Sequence, residues 1–271
     1  MPEGPEIRRA ADRIEAALGG ARLLRVRFGL PALQGQAHRF EGARILRVDT
    51  RGKAMLTRFD NGLSIYSHNQ LYGRWQVVAA GERPDTRRQL RLALEGEHWH
   101  ALLYSASDIA VLDAAGEAAH PFLSRLGPDV LGDLDALQVR DRLLRPEFRR
   151  RRLGNLLVDQ SFVAGLGNYL RCEILFVAGL RPERRPMDLD DTTVDRLARA
   201  IIDLPRRSLR TGGITNDEAR ALALMAAGAD FEQARFHVFR RAGAPCYRCG
   251  APIRMERKGG QACYFCPQCQ R

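Results

Sequence analysis

The strongest constraint on this chain is a change of hydrophobic period part-way along it. From about residue 21 to 112, apolar and polar residues alternate in short runs at 23–28, 44–48, 55–59, 63–66, 74–78, 89–94 and 100–104. Glycines and an Asn61-Gly62 pair separate them, as in antiparallel strands joined by tight turns. Gly127-Pro128 and Gly132 then mark a hinge over 121–132. Beyond it the spacing turns helical, at about 133–145, 153–163, 167–178 and 190–204. The 271 residues suffice for two modest domains. Strands followed by helices predict an α+β chain: an N-terminal antiparallel β-sandwich flanked by helices, then a helical half, with a cleft between.

Ahead of the strands, Ile7, Ala10, Ala11, Ile14, Ala17 and Leu18 recur at three-and-four spacing, and Gly19-Gly20 closes the run. A buried helix is expected there, with Pro5 on its first turn. Removal of the initiator Met would leave Pro2 with a secondary amine. An α-amine titrates at about 7.7–8.0, so a fraction is nucleophilic near neutrality. Its attack on a sugar aldehyde carbon forms an iminium, an electron sink that acidifies the neighbouring C–H. Glu3 is the adjacent carboxylate for proton transfer. The competing reading is a plain helix lead-in.

The net charge of +11 suits a phosphate-bearing partner without naming the structure bound. Of 43 lysines and arginines only Lys53 and Lys258 are lysines. Arg cannot release a proton at ordinary pH, whereas an ammonium can serve as an acid. Lys53 lies in a tight turn, Thr50-Arg51-Gly52-Lys53-Ala54, between two strand-like runs.

Near the C-terminus, Cys246-x-x-Cys249 and Cys266-x-x-Cys269 are separated by 16 residues, the spacing of a four-thiolate zinc site on a β-hairpin ribbon. No apolar segment resembles a signal or a membrane span, so a cytosolic protein is expected and disulfides are disfavoured. Cys263 offers a second register with Cys266. The compact knuckle spacing favours Cys266 and Cys269 and leaves Cys263 to packing, with Cys172 in a helical core. In the helical half, Gly165-Leu166-Gly167-Asn168 breaks one helix and starts another, a corner suited to a phosphate.

Together these motifs resemble bacterial endonuclease VIII, within the formamidopyrimidine-DNA glycosylase superfamily. The likeness runs end to end, through the residues from Pro2 to Asp12, Thr50 to Ala54, Tyr66 to Gly73, Leu103 to Ile109, Gly127 to Leu131, Ala164 to Arg171, and the cysteine ribbon. It implies a catalytic β-sandwich domain at 1–120, a hinge at 121–132, a helix–two-turn–helix domain at 133–236 and a zinc ribbon at 237–271. It also implies a bacterial enzyme that acts on double-stranded DNA carrying oxidised bases or abasic sites, associating with the nucleoid as it does so; a monomer is the default expectation. Pro2 would attack C1′, Glu3 would move protons, Lys53 would act as the acid, and Glu6 would support them. Gln70, Leu71 and Tyr72 would fill the gap left by an extruded nucleotide. Arg125 and Asn168 would contact the backbone.

Two departures stand out. The family's zinc hairpin carries an Arg that grips phosphate and serves δ-elimination; here that position is Gln261, with Arg257 and Lys258 on the same loop as candidate substitutes. The segment 211–233 is longer than usual, with an extra helix expected over 219–227. A bifunctional glycosylase and lyase acting on oxidised pyrimidines is therefore expected, with δ-elimination reduced. The alternative is a weakened enzyme, or a non-enzymatic binder of damaged DNA.

Overall fold

Helix α1 (Gly4–Leu18) forms where the N-terminal spacing predicts it and buries Ile7, Ala11, Ile14 and Leu18. Fully burying an Ile or Leu side chain contributes about 1.5–3 kcal/mol, so this face fixes the helix firmly. The computed structural model describes residues 2–258 and 260–271, and of Lys258 the backbone alone. Two units separate between Arg125 and Leu126.

In the first unit α1 is followed by β1 (Arg25–Phe28), α2 (Pro31–Gln34), β2 (Ile45–Arg51), β3 (Ala54–Phe59), β4 (Ser64–His68), β5 (Arg74–Ala79), β6 (Leu90–Glu95), β7 (Trp99–Tyr104), β8 (Asp108–Leu112) and α3 (Ala114–Ala119). Two antiparallel four-stranded sheets result, ordered β1-β6-β7-β5 and β2-β3-β4-β8. Alternating residues of both sheets, including Val26, Val48, Met55, Ile65, Leu94 and Leu103, share one core with α1.

The second unit contains α4 (Ala136–Leu144), α5 (Pro146–Arg149), α6 (Leu153–Leu156), α7 (Asn168–Ala178), α8 (Asp191–Arg210), α9 (Glu218–Ala226), α10 (Phe231–Ala234) and the hairpin β9 (Arg254–Lys258) with β10 (Gln261–Phe265). The helix expected over 153–163 stops after one turn. Asp159 accepts from the Ser161 N–H and hydroxyl, both at 2.8 Å. Gln160 donates to Val158 O and Leu166 O and accepts from the Gly165 N–H. Local side-chain bonds thus satisfy a turn in place of helical bonds. Helix α8 instead runs past the expected end at 204, through Pro205. Its buried Val194, Leu197, Ala198, Ile201 and Leu204 belong to the same core as α7, and this packing outweighs a proline cost of about 3 kcal/mol. Helix α9 occupies the extra segment where one was expected. No helix among the described residues is long and apolar enough to cross a membrane.

Candidate active site

Glu3 is the N-cap of α1 and is 2% exposed. Glu6 accepts the Glu3 N–H at 3.0 Å, and the Glu3 side chain reciprocates in a capping box. Arg9 holds the other Glu6 oxygen at 3.2 Å. Glu6 therefore sets the position of Glu3, with half-buried Pro2 directly ahead of it.

Lys53 sits at the tip of the β2–β3 hairpin. Arg51 pairs with Ala54, leaving Gly52-Lys53 as a two-residue loop. Gly52 has φ 61° and Lys53 is not left-handed, the pattern of a type II′ turn. A turn lysine is normally solvated, yet Lys53 is 8% exposed. Burial holds its ammonium pKa below the usual 10.5, while the charge of Glu3 pulls the other way. His68, on β4, is paired in register with Ala54 on one side and Asp108 on the other. Burial lowers its pKa; Asp108 opposes this and Lys53 adds to it. The neutral ring accepts the Gln70 N–H on Nδ1 at 3.1 Å. Asp108 in turn accepts the Tyr66 hydroxyl at 3.2 Å.

The loop from β4 to β5 carries Gln70, Leu71 and Tyr72. Leu71 is 57% and Tyr72 70% exposed, so neither belongs to the core. The loop is nevertheless held. Ser107 Oγ donates to Gln70 Oε1 at 2.9 Å, and Arg88 donates to Tyr72 O at 2.6 Å. The Gly73 N–H donates to Asn69 O at 2.7 Å. A Cβ on Gly73 would lie 2.5 Å from that same oxygen, so the position requires glycine. Arg125 is exposed and donates from Nε to Pro121 O at 2.7 Å.

In the second unit the Sγ atoms of Cys246, Cys249, Cys266 and Cys269 all lie within 4.8 Å of one another. Metal–sulfur bonds of about 2.3 Å put tetrahedral sulfurs about 3.8 Å apart, so the cluster fits one ion. The N–H groups of Arg248 and Cys269 point to the sulfurs of Cys246 and Cys266, both at 3.4 Å, and would stabilise thiolates. Cys263 is not one of these four; it is buried and hydrogen-bonds with Cys172. Asn168, the first residue of α7, donates to Ala262 O at 3.0 Å. Gln261 begins β10, exposed and paired in register with Lys258, whose side chain lies outside the described residues.

Residues 1–108 match the formamidopyrimidine-DNA glycosylase N-terminal domain, and residues 126–219 the formamidopyrimidine-DNA glycosylase H2TH domain. The chain is 49% identical over 271 residues to endonuclease 8 of Klebsiella pneumoniae subsp. pneumoniae, covering all of both chains. The endonuclease 8 of Escherichia coli O17:K52:H18 is 48% identical over the same span. This chain belongs to the formamidopyrimidine-DNA glycosylase family. The fold agrees with that of Lactococcus lactis Fpg solved with abasic-site DNA, at TM-score 0.82 and 21% identity over 99% of each chain. MutM in complex with DNA containing carbocyclic 8-oxo-G gives 0.81 and 20% over all of both chains.

Within this family member, Glu3, Glu6, Lys53 and the Gln70–Tyr72 loop lie in the first unit, and the cysteines, Asn168 and Gln261 in the second. Sequence reasoning missed four supporting residues. His68 and Ser107 hold Gln70 from two sides, and both lie within the Tyr66–Gly73 and Leu103–Ile109 motifs. Arg171 and Glu173, buried in apolar α7, were also passed over. Two charges in an otherwise apolar helix were the available signal.

Proposed function

We propose that this chain removes oxidised pyrimidines from duplex DNA and then cuts the strand by β-elimination. As a family member it is a bifunctional DNA glycosylase and abasic-site lyase acting on oxidised bases. The preference for pyrimidines rests on its likeness to the endonuclease VIII branch. The Pro2 amine, freed by removal of Met1, attacks C1′; the damaged base leaves with a proton, and a C1′ iminium remains. Glu3 moves protons between the sugar ring and the amine. Loss of the acidified C2′ proton expels the 3′ phosphate, and Lys53 supplies the acid.

What carries this reading is the pairing of a buried carboxylate with a buried, electrostatically coupled ammonium, Glu3 and Lys53, beside Pro2. A buried ammonium with a lowered pKa gives up its proton more readily than a solvated one. Leu71 and Tyr72 enter the gap left by the extruded nucleotide, and Arg125 and Asn168 hold the backbone. Cys246, Cys249, Cys266 and Cys269 hold a structural zinc ion, which orders the ribbon. Gln261 brings no cationic fork to the flanking phosphate, so cleavage stops at the β-product. The enzyme works as a cytoplasmic monomer.

The test is borohydride trapping on a thymine glycol duplex beside an abasic-site duplex. Covalent adduct on both is expected, since borohydride reduces the iminium. Adduct on the abasic duplex alone would remove the pyrimidine assignment. Tight binding with no adduct on either would replace the enzyme reading with damage binding, the alternative that Gln261 raises.

A further inference from the structure

Arg171 is among the largest fully buried side chains, at 1% exposure. A buried guanidinium is costly unless its hydrogens are used and its charge is paired. Among the described residues it forms no ion pair with a carboxylate, and its Nε–H has no partner. Its two terminal nitrogens go to neutral oxygens. Nη1 donates to Gly154 O at 3.1 Å, and Nη2 donates to Asn168 Oδ1.

The second bond decides how Asn168 stands. An amide side chain can be turned end for end with little change in shape, so its neighbours must settle which end is which. Arg171 offers only donors, and Ala262 O only accepts. Asn168 Oδ1 must therefore face Arg171, and Nδ2 must face Ala262 of the hairpin, at 3.0 Å. Rotating the amide would set N–H against N–H and oxygen against oxygen. The second Nδ2 hydrogen has no partner among the described residues. Asn168 is only half-buried, so that hydrogen is available to a ligand.

We propose that Arg171 is a positioning residue. Its buried fork locks the Asn168 amide so that one N–H fastens the zinc-ribbon hairpin beside Gln261 and the other meets a DNA phosphate oxygen. This rests on the reading of Asn168 as a backbone contact. The charge stays buried because the planar fork is needed to reach Gly154 and Asn168 together. It also explains why the hairpin aligns with α7 at this corner: Asn168 binds Ala262, and one turn on the Tyr264 N–H meets Cys172 Sγ at 3.4 Å.

A double-mutant cycle on the zinc-loaded enzyme tests this, read as Kd for a duplex carrying a tetrahydrofuran abasic analogue. Asn168→Ala and Arg171→Met should each weaken binding roughly tenfold, the value of one charge-assisted hydrogen bond. The double variant should bind no worse than Asn168→Ala alone, because Arg171 acts only through Asn168. Arg171→Lys keeps the charge without the fork and should not restore binding. Additive losses, full binding by Arg171→Lys, or a loss in Arg171→Met alone would overturn the proposal. Wild-type binding by Asn168→Ala would remove the reading of Asn168 itself, and the proposal with it.

The unmutated enzyme supplies a second measurement, should Arg171 variants fail to fold. The two Asn168 side-chain amide protons should differ in a nitrogen-resolved NMR spectrum. The one bound to Ala262 O exchanges slowly, and the other shifts when the duplex is added. Equal exchange, or no shift on saturation with a duplex that binds, would overturn the proposal.

Discussion

The two hairpins that carry residues 53 and 261 make an instructive pair. The β2–β3 hairpin lies within a four-stranded sheet, with β4 hydrogen-bonded along β3 and a shared core beneath. Its tip lysine is buried and feels the charge of Glu3. The β9–β10 hairpin is a two-stranded ribbon, and Gln261 beside its tip is exposed. An isolated two-stranded hairpin is marginal in water. The ribbon therefore depends on what backs it: four cysteines, the Asn168–Ala262 bond and the Cys172–Tyr264 contact. One hairpin is placed by a sheet and a core, the other by a four-cysteine cluster and a helix end.

Removing the metal should break this comparison most sharply. A structural zinc site contributes on the order of 10–16 kcal/mol of apparent binding free energy, far more than a ribbon retains without it. Chelation should bring the Tyr264 and Cys266 amides to near-unprotected exchange, since their acceptors are Cys172 Sγ and the Gln270 side chain. Amides of β3 should keep their protection. Hydrogen exchange followed by mass spectrometry checks both. Equal loss in β3 would show that the two hairpins stand or fall together.

Lys53→Met is the next largest change. Losing a positioned acid typically costs about 10²–10⁴ in rate, so single-turnover cleavage of an abasic-site duplex should fall by that range. The fold should persist, because β2 and β3 pair from Ile45 to Ala54 without the lysine side chain. The wild-type enzyme adds a pH test. Burial lowers the Lys53 pKa, so the acid is lost as pH rises, at a midpoint below the usual 10.5. The elimination rate should therefore decline on the alkaline side from below that value. A rate still rising at pH 10.5 would remove Lys53 from the acid role.

Much of this was legible beforehand, and the reason differs from element to element. Strand runs, the N-terminal helix and the CxxC pairs declare themselves through local periods and spacings. The Gly52-Lys53 turn is also local, since Gly52 must take positive φ there. The helix expected over 153–163 failed because Asp159 and Gln160 bond to the backbone around them, and apolar spacing does not record that. Glu173 was illegible for another reason. Its carboxylate accepts from His237, Val238 and Phe239 N–H groups at 2.8, 2.8 and 3.0 Å, partners more than sixty residues away in the chain. Arg171 is similar: its charge shows in the sequence, but its acceptors Gly154 and Asn168 are fixed only once α6 and α7 pack.

Gln261→Arg is the smallest expected effect and the one that sharpens the contrast most. Residue 261 is exposed and lies in the second unit, so the substitution should leave the folding of the first unit, which carries Glu3 and Lys53, unchanged. If position 261 faces a phosphate, the new guanidinium displaces about one more counterion. The slope of log K against log salt should then steepen by about 0.9, and low-salt affinity should rise severalfold. δ-Product should rise with it, while the first-order rate of β-elimination stays the same. Arg257 is the internal competitor, exposed and paired in register with Ala262 on the neighbouring strand. If Arg257 already serves that phosphate, Arg257→Ala should flatten the wild-type slope by about 0.9, and Gln261→Arg should add little. A steeper slope without δ-product would separate grip from chemistry: the ribbon would then supply phosphate affinity alone, leaving strand scission to the buried tip of the β2–β3 hairpin.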